Sequence, residues 1–314
     1  MITFISEMRI LVTGGAGFIG SHIVEQLLQQ KHQVRVLDNF STGKRENLAF
    51  SHEGDLEIME GDIREFGVVE KAASLVDGVF HEAALVSVPK SVERPDLSFD
   101  INVKGTFNVF EAARRAGVKR VVYASSGAVY GDNDRLPLAE TEPPKPLSPY
   151  GLDKLYSEQL GSLYQSLYGM EMVALRYFNV FGPRQDPNSP YSGVISIFVN
   201  RLKAGTVPTI FGDGEQTRDF VFVGDVVRAN LLAMSGEYRG FRVLNVGTGK
   251  KTSLNELFTQ LKLITQSSGT PTYADERVGD IRHSLANISA IRKELSYEPA
   301  FNLADGLRAL LQGK

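Results

Sequence analysis

Residues 8–38 read "MRILVTGGAGFIGSHIVEQLLQQKHQVRVLD", and this stretch decides the fold. The apolar run at 9–13 predicts a strand, and a glycine-rich turn follows it. The apolar spacing over about 18–30 predicts an amphipathic helix, and 34–38 predicts a second strand. Strand, helix and strand in this order form a βαβ unit with parallel strands.

The rest of the chain extends this unit into a larger sheet. Further strands are predicted at "LEIMEGD", "GVFHEAA", "RVVYASS" and "MVALRYFNVFG", with helical stretches among them. Strands that alternate with helices predict a parallel sheet covered on both faces. Beyond about residue 177 the pattern becomes irregular and rich in turns. The predicted fold class is therefore α/β, a Rossmann-type doubly wound parallel sheet with a smaller C-terminal lobe.

Two parts are expected within the 314 residues. We assign 1–176 to a nucleotide-binding Rossmann domain, together with a returning segment at about 218–248. The lobe takes 177–217 and 249–314. A helix at its centre is predicted to begin at Thr252 or Ser253, with Glu256 placed to form a capping box with Ser253.

Composition limits the function. The net charge of −3 gives no general reason to bind nucleic acid or an anionic membrane surface. The chain has no cysteine, which excludes disulfides and thiolate metal sites, and its five histidines lack metal-ligand spacing. No apolar run approaches the roughly 18 residues of a membrane span. Together these features predict a cytoplasmic protein with no metal.

The glycine-rich turn at 15–20 matches G-x-G-x-x-G between the first strand and the first helix. In such a loop Gly15 is expected to allow the tight turn, Gly17 the approach of a pyrophosphate, and Gly20 close packing of helix and strand. The match alone is weak, but Asp38 ends the second strand 18 residues past Gly20. There a carboxylate accepts hydrogen bonds from ribose hydroxyls.

The choice between the two nicotinamide cofactors depends on the same carboxylate. Asp38 would repel a 2′-phosphate, which favours NAD over NADP. Lys44 and Arg45 are the alternative, since their positive charges could receive a 2′-phosphate. Asp62 follows the third strand and is a candidate for the adenine edge, or an ordinary turn aspartate.

Several motifs in consistent order resemble the extended short-chain dehydrogenase/reductases, and most closely the nucleotide-sugar 4-epimerases, including UDP-N-acetylglucosamine 4-epimerase and UDP-glucose 4-epimerase. They are the glycine loop, "HEAA" (81–84), "INVKGT" (101–106), "YASSGAVYG" (123–131), "PYGLDK" (149–154) and "LRYFNVFGPRQDP" (175–187). The resemblance covers about residue 8 to the C-terminus. It implies an isomerase that uses NAD and a UDP-sugar.

The resemblance implies three catalytic residues. Tyr150 and Lys154 match Y-x-x-x-K, in which the tyrosine is the base and the lysine lowers its pKa from about 10. Ser126 matches the active-site serine, which bonds the substrate oxygen. As an isolated pair, Tyr150 and Lys154 would be ordinary helix neighbours, and Ser126 alone could simply satisfy a strand end.

Cofactor and substrate contacts are implied as well. The residues expected to bind NAD are Gly14, Gly17, Phe18, Ile19, Asp38, Asn39, Thr42, Gly43, Asp62, Ile63, Ala83, Ala84, Asn102, Tyr150, Lys154 and Tyr177. Those expected to bind the UDP-sugar are Ser87, Ser126, Tyr150, Asn179, Val194, Phe211, Arg218, Arg277 and Ser284. Core packing is the alternative for Ala83, Ala84, Asn102 and Tyr177, and surface solvation for the two arginines.

Two local features refine the reaction. Relatives that dehydrate or decarboxylate the sugar carry acidic residues just after the active-site serine, whereas this chain has Gly127 and Ala128. Epimerisation is therefore expected, and a 4,6-dehydratase, a reductase or a non-enzymatic NAD-binding protein are the alternatives. Ser284 stands where glucose-restricted epimerases carry a tyrosine. A serine there leaves room for an N-acetyl group, unless the pocket is filled from elsewhere.

A homodimer is also expected. The helices predicted near 98–116 and 150–168 carry apolar residues on more than one face. One face can cover the sheet and the other a second copy of the chain, as in the family.

Overall fold

The computed structural model describes residues 7–50, 55–186, 193–276 and 281–313. Its centre is a seven-stranded sheet whose paired strands all run parallel. The strands of the described residues are β1 (Arg9–Thr13), β2 (Gln33–Asp38), β3 (Leu56–Glu60), β4 (Gly78–His81), β5 (Arg120–Ser126), β6 (Glu171–Tyr177), β7 (Asn179–Phe181), β8 (Thr209–Phe211), β9 (Thr217–Arg218), β10 (Phe220–Phe222), β11 (Phe241–Val246), β12 (Thr252–Ser253) and β13 (Thr272–Ala274). The order in the sheet is β11-β6-β5-β4-β1-β2-β3. This is the predicted Rossmann-type α/β fold.

Helices connect and cover the strands. They are α1 (Phe18–Gln29), α2 (Phe66–Ala73), α3 (Val88–Glu93), α4 (Pro95–Ser98), α5 (Gly105–Arg115), α6 (Pro149–Tyr168), α7 (Val194–Lys203), α8 (Val223–Ser235), α9 (Leu254–Thr265), α10 (Ser289–Leu295) and α11 (Leu303–Gln312). None of the helices in the described ranges is long and apolar enough to cross a membrane.

The sheet separates two hydrophobic cores because successive strand residues point to opposite faces. Ile10 and Val12 of β1 enter the core on which α1 and α8 pack. Leu11, between them, enters the other core, which α2 and α5 cover. All three side chains are fully buried, as expected for a parallel sheet covered on both sides.

The segment predicted as one helix near 98–116 is divided. Helix α4 passes into a π-helical turn, Phe99–Lys104, before α5 begins. Extra residues in a π turn shift the helix face, and such turns occur often at functional sites. This one carries Asn102, whose side chain bonds the backbone of Leu85 in the loop after β4.

Beyond β6 the chain forms short two-stranded pairs, β7 with β10, β9 with β12 and β8 with β13. Helix α9 begins with the predicted capping box, in which Ser253 and Glu256 each bond the other's backbone N–H. Single bridges join Leu138 to Ala286 and Thr217 to His283. These contacts bring the segment 281–288 close to β9.

Candidate active site

The carboxyl ends of β5 and β6 form the floor of the site. Ser126 ends β5 and is the register partner of Tyr177, which ends β6. The Ser126 hydroxyl accepts a hydrogen bond of 3.1 Å from the backbone N–H of Ala128 and so caps a 3₁₀ turn, Gly127–Tyr130. Parallel strands deliver both side chains to one edge, where ligands of doubly wound sheets bind.

Helix α6 supplies the other two catalytic candidates. Ser148 caps the helix by accepting a bond of 3.1 Å from the Gly151 N–H, and Tyr150 follows in the first turn. Lys154 lies one turn later on the same side. Its Nζ is 5.8 Å from the centroid of the Tyr150 ring and donates a hydrogen bond of 2.8 Å to the Ala124 carbonyl. Both side chains are buried.

Burial, nearby charges and a hydrogen bond all act on the pKa of Tyr150. Burial is the largest cause that raises the pKa of Tyr150, a hydrogen bond with Ser126 lowers it, and the carboxylates of Glu82 and Asp153 raise it. Burial also lowers the pKa of Lys154, to about 8, while Glu82 and Asp153 raise it. That Lys154, together with a cationic nicotinamide, lowers the pKa of Tyr150 stays a prediction. The hydrogen bond with Ser126 acts in the same direction, because it favours the phenolate.

A buried polar cluster holds the loop after β4. The Asn102 side chain accepts a bond of 2.8 Å from the Leu85 N–H and donates one of 3.1 Å to the Leu85 carbonyl. Asp153, beside Lys154, accepts a bond of 2.6 Å from the Ser98 hydroxyl. The π turn and α6 thus fix the loop that contains the predicted cofactor residues Ala83 and Ala84.

The glycine loop shows which glycines the turn requires. Gly14, not Gly15, has a positive φ, of 70°, and a Cβ on it would lie 2.6 Å from the Ala83 nitrogen. A Cβ on Gly20 would lie 2.2 Å from the Gly14 carbonyl oxygen. Gly15 lies in the same turn, where a Cβ would be 2.8 Å from Val36 Cγ2, but the left-handed conformation belongs to Gly14. Gly14 remains on the predicted cofactor list.

Helix α1 begins directly after this loop. Its N-cap is Gly17, and no side chain caps it. The first N–H groups of a helix lack partners within the helix and carry partial positive charge. Phe18 and Ile19 are the first helical residues. This end of the helix is suited to a pyrophosphate.

Asp38 ends β2 beside the same loop. Its carboxylate accepts N–H bonds of 2.9 Å from Ala16 and 2.8 Å from Phe40, and Gly43 packs against it. Each carboxylate oxygen can accept two hydrogen bonds, so acceptor capacity remains for ribose hydroxyls.

The neighbouring residues of the predicted adenosine site also meet. Asn39 donates a bond of 2.8 Å to Asp62, whose pKa the adjacent Arg64 lowers to about 2. Ile63 is buried against Gly105. Thr42 lies in the loop between Asp38 and Gly43, with its side chain exposed. An ionised Asp62 is available only as an acceptor, which is what the exocyclic amine of adenine requires.

The predicted substrate residues belong to the second half of the chain, apart from Ser87, Ser126 and Tyr150. Asn179 begins β7, Val194 begins α7, Phe211 ends β8 and Arg218 ends β9. The Ser284 N–H donates a bond of 3.1 Å to the Thr217 carbonyl, which places Ser284 beside Arg218. Ser87 caps α3. Arg277 lies outside the described residues.

Comparison with known proteins decides the family. Residues 10–247 match the model of the NAD dependent epimerase/dehydratase family. A curated relative from Methanocaldococcus jannaschii, named putative UDP-glucose 4-epimerase, is 44% identical over 96% of this chain and 97% of its own. The chain belongs to this family.

Two solved structures of this epimerase/dehydratase family are similar throughout. One is UDP-N-acetylglucosamine 4-epimerase from Methanobrevibacter ruminantium in complex with UDP-N-acetylmuramic acid, at 41% identity and a TM-score of 0.94. The other is UDP-glucose 4-epimerase from Thermotoga maritima with UDP-glucose, at 42% identity and a TM-score of 0.92. Each comparison covers 98% of both chains. The predicted recognition of an epimerase, an enzyme and NAD as cofactor is confirmed.

The epimerase/dehydratase family requires room for NAD, and the described residues meet this requirement. The side chains that would obstruct the loop are absent at Gly14 and Gly20, where a Cβ would strike backbone atoms. The uncapped start of α1 suits the pyrophosphate, and Asp38 suits the ribose. The glycine loop, the start of α1 and the Asp38 carboxylate thus fit the cofactor.

Sequence reasoning missed one ionisable group of this epimerase site. Glu82 was part of the quoted "HEAA" stretch, yet only the two alanines were assigned a role. Its carboxylate accepts a hydrogen bond of 2.9 Å from the Tyr177 hydroxyl. Burial raises the pKa of Glu82 to about 7, against lowering contributions from Tyr177 and Lys154. Its position directly after β4 could have indicated its role, because ligands bind at the carboxyl ends of parallel strands.

Proposed function

We propose that the protein is an NAD-dependent UDP-hexose 4-epimerase that interconverts UDP-GlcNAc and UDP-GalNAc, and also UDP-glucose and UDP-galactose, through a transient 4-keto sugar. The family and the names of its relatives support the epimerase class. The sugar is inferred from the residues below.

One observation carries the choice of epimerisation over dehydration. Ser126 ends β5 and lowers the pKa of Tyr150, and the 3₁₀ turn that follows Ser126 contains Gly127, Ala128, Val129 and Tyr130. A Cβ on Gly127 would meet only the Phe178 ring, at 3.7 Å. No acid therefore stands in this turn to act at C5 or C6 of a sugar.

In the proposed reaction Tyr150 removes the proton of the 4-hydroxyl. NAD, when bound, would supply the acceptor and then the donor for the hydride at C4. In the return step Tyr150 gives its proton back to the 4-oxygen, with the hydride added to the opposite face of the sugar. Ser126 bonds the same sugar oxygen and steadies charge as the carbonyl forms. Lys154 keeps the nicotinamide ribose in place. No net oxidation results.

The second half of the chain is proposed to hold the UDP group. We assign the nucleotide-binding domain to 1–176 with the returning segment 218–248, and the UDP-sugar lobe to 177–217 and 249–314. Arg218 and Arg277 are proposed diphosphate ligands because a guanidinium offers forked, charged donors to phosphate oxygens. Asn179, Val194 and Phe211 complete the proposed nucleotide contacts.

The N-acetyl group is proposed to lie near Ser284. This residue follows His283, whose ring bonds the Thr217 hydroxyl at 2.9 Å, and its own N–H is bound to Thr217. A serine on this segment would leave more room for an N-acetyl group than a tyrosine. UDP-GlcNAc therefore joins UDP-glucose as a proposed substrate.

Two copies of the chain are proposed to pair through α6 and the segment 98–116. Leucines 152, 163 and 167 of α6 and Phe99 of the π turn are at least half exposed, with exposures of 50–61%. Burying such side chains stabilises a complex by roughly 25 cal/mol per Å² of apolar area. Size-exclusion chromatography with light scattering measures the predicted doubling of mass.

The function is tested by incubating the purified protein separately with UDP-GlcNAc and UDP-glucose, and identifying the products by NMR. We expect the 4-epimer of each sugar, with unchanged redox state. Tyr150→Phe, which retains the ring, is expected to abolish turnover while keeping the fold and bound NAD. A keto-deoxy sugar as product, or full activity in the phenylalanine variant, would overturn the proposal.

A further inference from the structure

Glu82 is a carboxylate inside the site that the proposed reaction does not yet use. It follows β4 directly, and the Tyr177 hydroxyl donates to its Oε1 at 2.9 Å. Asn230 of α8 in turn donates to that hydroxyl at 2.7 Å. Side chains from β6, from α8 and from the residue that follows β4 thus form one hydrogen-bonded chain.

The direction of this chain is fixed by its far end. The Asn230 Nδ2 also donates to the Val226 carbonyl at 2.9 Å, and a carbonyl can only accept. The amide nitrogen therefore faces Tyr177, whose hydroxyl accepts that bond and must direct its own proton to Glu82. The protein is consequently built to present a donor to this carboxylate, which favours its ionised form.

Several titratable groups surround the carboxylate. From α6, the ammonium of Lys154 attracts it, and Tyr150 and Asp153 belong to the same charge cluster. From β6 comes the Tyr177 phenol. His81, at the end of β4, has its pKa lowered to about 3 by burial and by Lys154, so it is neutral. Lys154 is thus the cation that Glu82 faces in this cluster.

We propose that Glu82 is a positioning residue of the epimerase, whose carboxylate fixes Tyr177 and sets the charge balance of Lys154 and Tyr150. This inference rests on the proposed function. Its consequence has a definite sign, because an anion near Tyr150 opposes formation of the phenolate while it helps Lys154 keep its proton.

Glu82→Gln tests the charge separately from the shape. The amide keeps the length of the side chain and an oxygen that can accept the Tyr177 bond. Loss of the negative charge is expected to move the rising limb of the kcat against pH profile about one pH unit lower. Glu70→Gln, on the outer helix α2 with an exposed side chain, is the matched control and is expected to leave the profile in place.

A second readout does not depend on turnover. Ultraviolet difference titration of tyrosinate, with Tyr150→Phe as the subtracted reference, follows the Tyr150 phenol itself. We expect its midpoint to fall by a similar amount in Glu82→Gln. If the wild type turns over no UDP-sugar, the proposed function fails, while this titration still decides the role of Glu82.

The outcomes are distinct. A shift to lower pH in both measurements, with normal circular dichroism and NAD content, supports the proposal. An unchanged midpoint with reduced activity means that Glu82 only packs, and it overturns the proposal, as does a shift to higher pH. If the glutamine variant does not fold, Glu82→Leu replaces it, with the same expected shift and the same contradicting results.

Discussion

Replacing Arg176 by methionine is expected to destabilise the protein by about 3–5 kcal/mol, because it leaves a buried carboxylate unpaired. Arg176 of β6 binds Glu158 of α6 through two bonds, Nε to Oε1 at 2.8 Å and Nη2 to Oε2 at 2.7 Å. Both side chains are only 5% exposed. The Ser125 hydroxyl bonds the same carboxylate at 2.5 Å.

The magnitude follows from the burial of the pair. Two unit charges about 4 Å apart attract by about 4 kcal/mol at an effective dielectric constant of about 20. Removing the guanidinium abolishes this attraction. Of the three hydrogen bonds to Glu158 named above, the one from Ser125 remains. It also removes the stacking of Arg176 over the Tyr130 ring, whose centroid is 4.7 Å away. The methionine restores part of the packing but no charge.

The assay is equilibrium unfolding in denaturant, with a second variant that removes both charges. Arg176→Met with Glu158→Leu is expected to recover most of the lost stability, since no unpaired ion remains. The control is Arg308→Met, which breaks an exposed pair with Asp305 and should cost less than about 1 kcal/mol. The reasoning would be refuted if Arg176→Met is as stable as Arg308→Met. It would also be refuted if the double variant is as unstable as Arg176→Met alone.

Three further outcomes are expected. Gly20→Ala should lower stability by about 1–3 kcal/mol and reduce the NAD content, because its Cβ would lie 2.2 Å from a backbone oxygen, whereas Gly67→Ala, with open space around it, should do neither. Ser284→Tyr should remove activity on UDP-GlcNAc and keep that on UDP-glucose, as product analysis would reveal; equal loss on both sugars would contradict it. The folded pKa of His81, about 3, lies below its unfolded value of 6.5, so its contribution to stability is present above pH 6.5 and falls on acidification. Between pH 6.5 and 5 the wild type should therefore lose about 1.5 kcal/mol more than His81→Asn in unfolding measurements, and parallel losses would disprove this.

The sequence predicted the first βαβ unit nearly to the residue, because its signals are local. The strand 9–13 and the helix beginning at Phe18 both follow from apolar spacing and a glycine turn. The capping box of α9 is local in the same way, since Ser253 and Glu256 are three residues apart. The need for glycine at position 14 is not a local signal, because the crowding there comes from Ala83, far along the chain.

The catalytic candidates show the same division. Sequence alone determined that Tyr150, Lys154 and Ser126 are present in a recognisable order with an epimerase-like loop and no acid after the serine. Only the tertiary structure decided that Glu82 joins them, that Tyr177 and Asn230 fix it, and that burial raises the pKa of Tyr150. Motifs record neighbours along the chain. The pKa of a buried group depends on the charges, hydrogen bonds and burial around it. Here these come from residues in or next to β4, β6, α6 and α8, which are far apart along the chain.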